Sequence, residues 1–287
     1  MDRQIIILTT DKRQQKLAEL FEEAVQIPGE EEVLNCEAPC EKIYVLPTPV
    51  SKMSRNPEMV EKLKQELIKW SNFGSIELKV FGGAMDMEWR SFLEIYNISY
   101  WDFMDLPEVI EGNGWITAEA TIAEVLLQSD TSIYGQKVLV TGYGCCGEKI
   151  AKLFGKLGAK VIVAARRETV RERIRKDGFL AVDFEDMKNE MVNVETVINT
   201  VPSLVLTEEC IEQMPQGSLI IDIASKPGGT DFEAAKRFGV KSKLALGLPG
   251  IYTTTSSALL LKKALSKYAP LPENVRGDKL WIFQIII

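Results

Sequence analysis

Three glycines at fixed spacing, Gly142, Gly144 and Gly147 in VLVTGYGCCG, are suited to holding the pyrophosphate of a dinucleotide. An apolar run, Val138 to Val140, enters the turn, and a helical pattern leaves it at Ile150, Ala151, Leu153, Phe154 and Leu157. Gly142 permits the tight turn, Gly144 lets the backbone come close to the phosphates, and Gly147 lets the helix pack on the strand. The N–H groups at the helix start then face the anion. Tyr143, Cys145 and Cys146 complete the turn and are candidate cofactor contacts with the glycines. A lone G-x-G-x-x-G is weak, and a glycine turn in an empty α/β domain is the plain alternative. Here a second strand, Lys160 to Ala165, follows Gly158 at the distance a βαβ unit needs.

That second strand selects the cofactor. NAD-specific units close it with an Asp or Glu, about 20 residues past the turn, that holds the ribose 2′-hydroxyl. This chain has Arg166 and Arg167 there, whose guanidinium groups suit a 2′-phosphate, so NADP is expected over NAD. The plain reading is a solvated basic helix continuing through Arg171, Arg173, Arg175 and Lys176. Loops after two later apolar strands are placed for the nicotinamide side. One is Asn199-Thr200-Val201-Pro202-Ser203, the other Asp222 to Gly229 with Ser225 and Lys226.

The chain has no histidine, so no imidazole base, no Ser-His or Cys-His nucleophile and no His-ligated metal exists. Five cysteines (36, 40, 145, 146 and 210) make neither a disulfide framework nor a paired zinc site, and no metal is expected. A formal net charge of -7 argues against nucleic acid and anionic membrane surfaces as partners. The apolar runs are too short to span a bilayer and the start lacks a signal-peptide pattern, so the expected location is the cytoplasm.

The elements that must position these groups form two doubly wound parallel-sheet α/β domains, the second of Rossmann type. The 287 residues suit two domains. Residues 1–115 read as a flavodoxin-like substrate domain completed by the C-terminal helix. Residues 116–287 carry a bridging helix, the dinucleotide domain and that last helix. In the first domain, strands are expected at Ile5 to Leu8, Lys42 to Leu46 and Glu77 to Phe81, and helices at Arg13 to Val25, Glu58 to Trp70 and Met87 to Tyr96. Its loops at Thr9 to Asp11, Pro47 to Ser51 and Gly82 to Ala84 lie at the edge where ligands gather. Glu111 to Gly114 reads as a loop before a helix from about Thr117 to Leu127, capped by Thr117, with Glu119 and Glu124 solvated. Further strands are expected at Leu180 to Val182, Thr196 to Asn199, Leu219 to Ile223 and Leu244 to Leu246, and a last helix at about Thr255 to Leu265. The apolar tail LWIFQIII reads as a strand at a subunit interface, which would make a homo-oligomer, or as a reading-frame artefact.

Four segments, NGWITAEATI at 113 to 122, NTVPSLVL at 199 to 206, DIASKPGGTDF at 222 to 232 and ALGLPG at 245 to 250, give a more specific signal than the glycine turn. On them the chain resembles the A subunit of dipicolinate synthase from endospore-forming bacteria, closely across the second domain and more loosely across the first. The resemblance implies an NADP-dependent oxidoreductase that oxidises dihydrodipicolinate, formed by loss of water from 4-hydroxy-tetrahydrodipicolinate, to pyridine-2,6-dicarboxylate. It also implies a partner, a flavoprotein-like B subunit. Two departures, Thr9 to Arg13 where the family tends to a glycine pair before the Asp, and Thr253 to Ser257 in place of an Ala-Pro-rich helix start, touch substrate detail.

A dianionic substrate needs several donors or a cation. Thr48, Ser51, Asn113, Thr117 and Lys226, expected to face a cleft between the domains, are the candidates. Glu119 is favoured over Asp222 as proton acceptor, Asp222 being equally suited to organising its loop. Two other readings remain: a 2-hydroxyacid or adenosylhomocysteine-type dehydrogenase, disfavoured by the missing histidine, and a non-catalytic NADP-binding regulatory subunit.

Overall fold

The computed structural model describes residues 2–21, 40–270 and 280–286. It divides into two compact units, Met1–Gly112 with Thr254–Ile287, and Asn113–Thr253. The chain passes between them inside one helix and again just before the last one.

The first unit is a parallel sheet of five strands among the described residues, β1 (Asp2–Thr9), β2 (Cys40–Val45), β3 (Glu77–Gly82), β4 (Ser99–Asp102) and β11 (Leu280–Ile286). Their order is β11-β1-β2-β3-β4. β1 and β2 carry apolar side chains alternately to both faces, as a sheet covered on two sides requires. Ile5, Ile7, Ile43 and Val45 meet α1 (Lys12–Glu19) and the C-terminal helix (Thr254–Tyr268) on one face. Ile6, Leu8, Tyr44 and Leu46 meet α2 (Pro57–Ser71) and α3 (Met87–Ile95) on the other. Four-residue β4 carries no period long enough to be read from sequence. The apolar tail is a strand of this chain's own sheet, β11, in parallel register with β1 from Arg3↔Leu280 to Thr9↔Ile286. Expected features at residues 22–25 and at Cys36 lie outside the described residues, and Cys40 opens β2.

The second unit is a six-stranded parallel sheet, β5 (Lys137–Thr141), β6 (Lys160–Ala164), β7 (Leu180–Val182), β8 (Thr196–Asn199), β9 (Leu219–Asp222) and β10 (Lys241–Leu244). The order is β10-β9-β8-β5-β6-β7. Strand order reverses between β5 and β8, the position where doubly wound sheets open a crevice at their carboxyl edge. The last strand lies at Lys241–Leu244, earlier than the apolar Leu244 to Leu246 suggested, so Ala245 to Gly247 forms the loop beyond it.

The expected loop at Glu111 to Gly114 is helix. α4 runs unbroken over Pro107–Gln128, so Thr117 is not a cap. Its glycines are there for close approach, because a Cβ on Gly112 would meet Leu260 Cδ1 at 2.8 Å and one on Gly114 would meet Cys145 Sγ at 2.8 Å. Two further helices frame the glycine turn: α5 (Cys145–Lys156) follows β5, and α6 (Glu168–Lys176) follows β6. Glu124, expected in solvent, is only 2% exposed. It accepts from Lys243 Nζ at 2.5 Å, Tyr252 Oη at 2.6 Å and Gln128 Nε2 at 3.1 Å. Burial raises the carboxyl's pKa, but donation from Lys243 and Tyr252 outweighs it and holds the group below its ordinary value. A depressed folded-state value stabilises the protein above the ordinary carboxylate range and stops doing so as pH falls through it. Glu124→Gln is therefore expected to cost about 1 to 3 kcal/mol at neutral pH. Urea denaturation should show that difference shrinking below about pH 4; an equal difference at both pH values would remove the ion pair from the account.

Candidate dinucleotide site

The glycine turn follows β5 at the crevice. Gly142 has φ +84°, a left-handed conformation that other residues adopt at a cost, and a Cβ there would meet Thr200 Oγ1 at 2.7 Å. A Cβ on Gly147 would lie 2.3 Å from the Gly142 carbonyl oxygen, so α5 can start only with glycine at this position. Gly144 differs: it has ordinary φ, -78°, and no atom within 4 Å of where its Cβ would stand. Space at Gly144, at the start of a twelve-residue helix whose first N–H groups have no intrahelical acceptor, fits a pyrophosphate.

The Tyr143 side chain turns into the core and is 4% exposed. Its hydroxyl donates to Asp177 Oδ2 at 2.7 Å, and burial first, then Asp177, push its pKa up. Its carbonyl accepts from Arg173 Nη2 at 2.5 Å, which commits Tyr143 to the turn's own structure rather than to a side-chain contact with the cofactor. Cys145 and Cys146 are half-buried, reduced cysteines at the start of α5. Burial raises the Cys146 thiol, as does Cys145 beside it, against a smaller lowering by Thr117 and Lys149. Neither feature makes Cys146 a thiolate nucleophile.

Beyond β6, Arg166 and Arg167 are both exposed, and neither guanidinium has a protein anion among the described residues. Their neighbours on α6 are engaged. Arg171 donates to the Ala165 and Arg166 carbonyls at 2.8 Å each and pairs with Glu168 and Asp183, and Arg175 pairs with Glu168 at 2.7 Å. The two residues at the strand end thus stay outside these ion pairs, while the rest of the basic run builds the helix.

The loop after β8 is held by its own polar groups. Asn199 is fully buried; its Oδ1 accepts from Thr141 Oγ1 at 2.5 Å and Val201 N at 3.1 Å, and its Nδ2 donates to the Val201 carbonyl at 3.0 Å. Thr200 Oγ1 donates to the Thr141 carbonyl at 2.6 Å. These expected nicotinamide contacts are loop-shaping groups, leaving Pro202 exposed at the loop tip and Val201 half-buried. After β9, Asp222 is also fully buried and accepts from Ala224 N, Gly229 N and Thr230 Oγ1 at 3.0, 2.8 and 2.7 Å. Buried and holding three donors, Asp222 is no base: its oxygens organise the loop, in which Ser225 and Lys226 are exposed. Gly229 is required there because a Cβ would meet the Val201 carbonyl oxygen at 2.4 Å.

On α4, the Thr117 hydroxyl donates to the Asn113 carbonyl at 2.7 Å, so the expected substrate donor closes a helical turn. Glu119 is exposed in mid-helix, too far along for the helix-start dipole to act on it. In the first unit Thr48 is buried and Ser51 exposed, Ser51 on the 3₁₀ turn Val50–Arg55. The Gly82 to Ala84 loop is structural, with the Ala84 and Met85 amides donating to buried Asp102 at 2.9 and 2.7 Å. A cavity of about 630 Å³ lined by Lys137, Gly155, Lys156, Lys160, Phe179 and Leu180 lies at the opposite, amino-terminal edge of the second sheet, away from the glycine turn. Among the described residues no helix is long and apolar enough to cross a membrane, and no three His, Cys, Asp or Glu side chains cluster for a metal.

Residues 110–276 match the family described as alanine dehydrogenase/PNT, C-terminal domain. The A subunit of dipicolinate synthase from Bacillus subtilis (strain 168) is 38% identical over 151 residues, 53% of this chain and 51% of that protein. The match therefore spans about half that relative's length. Among solved structures, the A subunit of dipicolinate synthase from Bacillus halodurans superposes with a TM-score of 0.73 at 25% identity, covering 94% of this chain and 98% of that one. The corresponding dipicolinate synthase structure from Bacillus subtilis superposes at 0.72 and 23% identity, covering 93% and 96%, a likeness of fold.

Proposed function

We propose that this chain, which belongs to the alanine dehydrogenase/PNT C-terminal domain family and has two parallel-sheet units, is an NAD(P)-dependent oxidoreductase that oxidises dihydrodipicolinate to dipicolinate with NADP, in the manner of the dipicolinate synthase relatives it matches. The observation that carries this reading is the 38% identity to a protein of that name, over a stretch that includes half of this chain. The cofactor, when bound, accepts a hydride from the ring.

In this reading Gly142, Gly144 and Gly147 receive the pyrophosphate, and Arg166 and Arg167 receive the 2′-phosphate. Exposed Lys226 is a carboxylate partner within the second unit. Oxidation removes a hydride from one saturated ring carbon and a proton from the other, and aromatisation supplies much of the driving force. A modest base then suffices, and the chain's main task is to orient the ring. With Asp222 committed to its loop, Glu119 is the proposed acceptor, since no described side chain donates to it.

The test is to mix freshly made 4-hydroxy-tetrahydrodipicolinate, NADP and this chain, with and without a flavoprotein-like B subunit, and to follow the ultraviolet absorbance of a new aromatic ring. The reading expects that absorbance to grow only with the chain present. NADP binding without turnover in either mixture would instead favour a regulatory subunit. In the same assay Glu119→Gln is expected to lower kcat and lose the acid limb of the pH–rate profile; a variant with full kcat and the same limb would leave water as the acceptor.

A further inference from the structure

Among the described residues two buried side-chain atoms have no hydrogen-bond partner, Arg13 Nε and Thr48 Oγ1. They belong to residues that touch, since Arg13 Nη2 donates to the Thr48 backbone carbonyl at 2.9 Å. Arg13 is 8% exposed and Thr48 6%. Polar groups buried so deeply are ordinarily satisfied, and a guanidinium with an open N–H beside an unpaired hydroxyl is costly unless an acceptor completes it.

The fold puts both at a place where a ligand can enter. Arg13 is in the first turn of α1, directly after β1, and Thr48 is in the loop directly after its neighbour β2. From β1 the chain turns to one face, packing Leu17 and Ala18 there; from β2 it turns to the other, packing Leu63 and Leu67. Divergence of two adjacent parallel strands opens a crevice at their carboxyl ends, where open α/β sheets take ligands.

The electrostatics select an anion. Lys52 Nζ pairs with Asp11 Oδ2 at 2.5 Å and donates to the Thr48 carbonyl at 3.0 Å. Asp11 is thereby matched by Lys52 and also caps α1 by accepting from Gln14 N, leaving the positive charge of Arg13 in excess. The other polar neighbours, Thr10 and Gln14, are neutral and bonded to each other at 3.0 Å. The hydroxyl is held in place: Val50 N donates to the Gly83 carbonyl at 2.8 Å, and a Cβ on Gly83 would meet Thr48 Oγ1 at 2.4 Å.

We propose that Arg13 and Thr48, backed by Lys52, form a carboxylate-binding subsite in the first unit and that it takes one carboxylate of the ring substrate. The ligand's identity rests on the proposed function; the anion site rests on Arg13 and Thr48. The sequence concealed it because a buried arginine reads like any surface arginine in KRQQK, and because Thr48 alone does not show that its hydroxyl goes unused.

The experiment measures dipicolinate and, separately, picolinate binding by calorimetry and thermal shift, in wild type, Thr48→Val, Arg13→Lys and Arg13→Met, with NADP binding as a fold check. Thr48→Val is expected to melt at or above wild type, since the hydroxyl it removes bonds nothing, yet to bind dipicolinate about tenfold more weakly. Both Arg13 variants should lose more, Arg13→Lys included because it lacks the planar fork, with NADP affinity unchanged throughout. Variants that bind both ligands as wild type does, or a wild type that binds neither, would overturn the subsite. Picolinate bound through Arg13 by a chain that neither binds dipicolinate nor makes it would uphold the subsite and overturn the proposed function.

Discussion

Gly144→Ala is expected to weaken NADP binding by on the order of a hundredfold or more while leaving the melting temperature unchanged. The separation of the two effects follows from the site. Alanine fits the backbone of Gly144, at φ -78°, and its methyl would meet no protein atom within 4 Å. The fold therefore has no use for a glycine there. A methyl in that space pushes the pyrophosphate off the first turn of α5 and forfeits charge-assisted hydrogen bonds of about 1.5 to 3 kcal/mol each. Gly147→Ala is the contrasting control: its methyl would sit 2.3 Å from a backbone oxygen, so stability and binding should fall together. Calorimetric titration and thermal melts of both variants check this, and a Gly144→Ala protein that binds NADP normally would move the dinucleotide away from the turn.

Removing Arg166 and Arg167 together is expected to erase the preference for NADP over NAD, and to do so by weakening NADP rather than improving NAD. Loss of one charge-assisted contact to a phosphate costs about 1.5 to 3 kcal/mol, roughly tenfold to a hundredfold, and the second arginine adds to it. Both side chains are exposed and neither pairs with a described protein anion, so their removal should leave stability within about 0.5 kcal/mol of wild type. Titrating both cofactors against wild type, each single variant and the double variant resolves the contribution of each. Equal wild-type affinity for NAD and NADP would contradict the assignment.

Much of this was legible in the residues because it depends on local backbone geometry. The glycine turn is written in Gly142 and Gly147, positions that admit no side chain, and β5, β8 and β9 are written as short apolar runs because a central parallel strand is buried on both faces. What the sequence concealed depends on partners far along the chain. Glu124 looks solvated until Lys243 and Tyr252, 119 and 128 residues away, close on it. Gly112 and Gly114 look like a loop because glycine chosen for helix packing and glycine chosen for a turn are the same residue. Asn199 and Asp222 were readable as polar residues at strand ends, but their commitment to the Val201 and Gly229 backbones is visible only once those loops are folded. The apolar tail carried no sign of its pairing partner, since β1 lies nearly the whole chain away.

The most direct test of the central claim follows the hydride. Dihydrodipicolinate generated with deuterium at its saturated ring carbons is given to a stoichiometric amount of the chain with NADP, and the nucleotide and ring are analysed by mass spectrometry after one turnover. The account predicts, for each dipicolinate formed, one deuterium on the reduced nicotinamide, a second released to solvent and the third kept on the ring. Dipicolinate appearing while the nucleotide stays oxidised and unlabelled would contradict it.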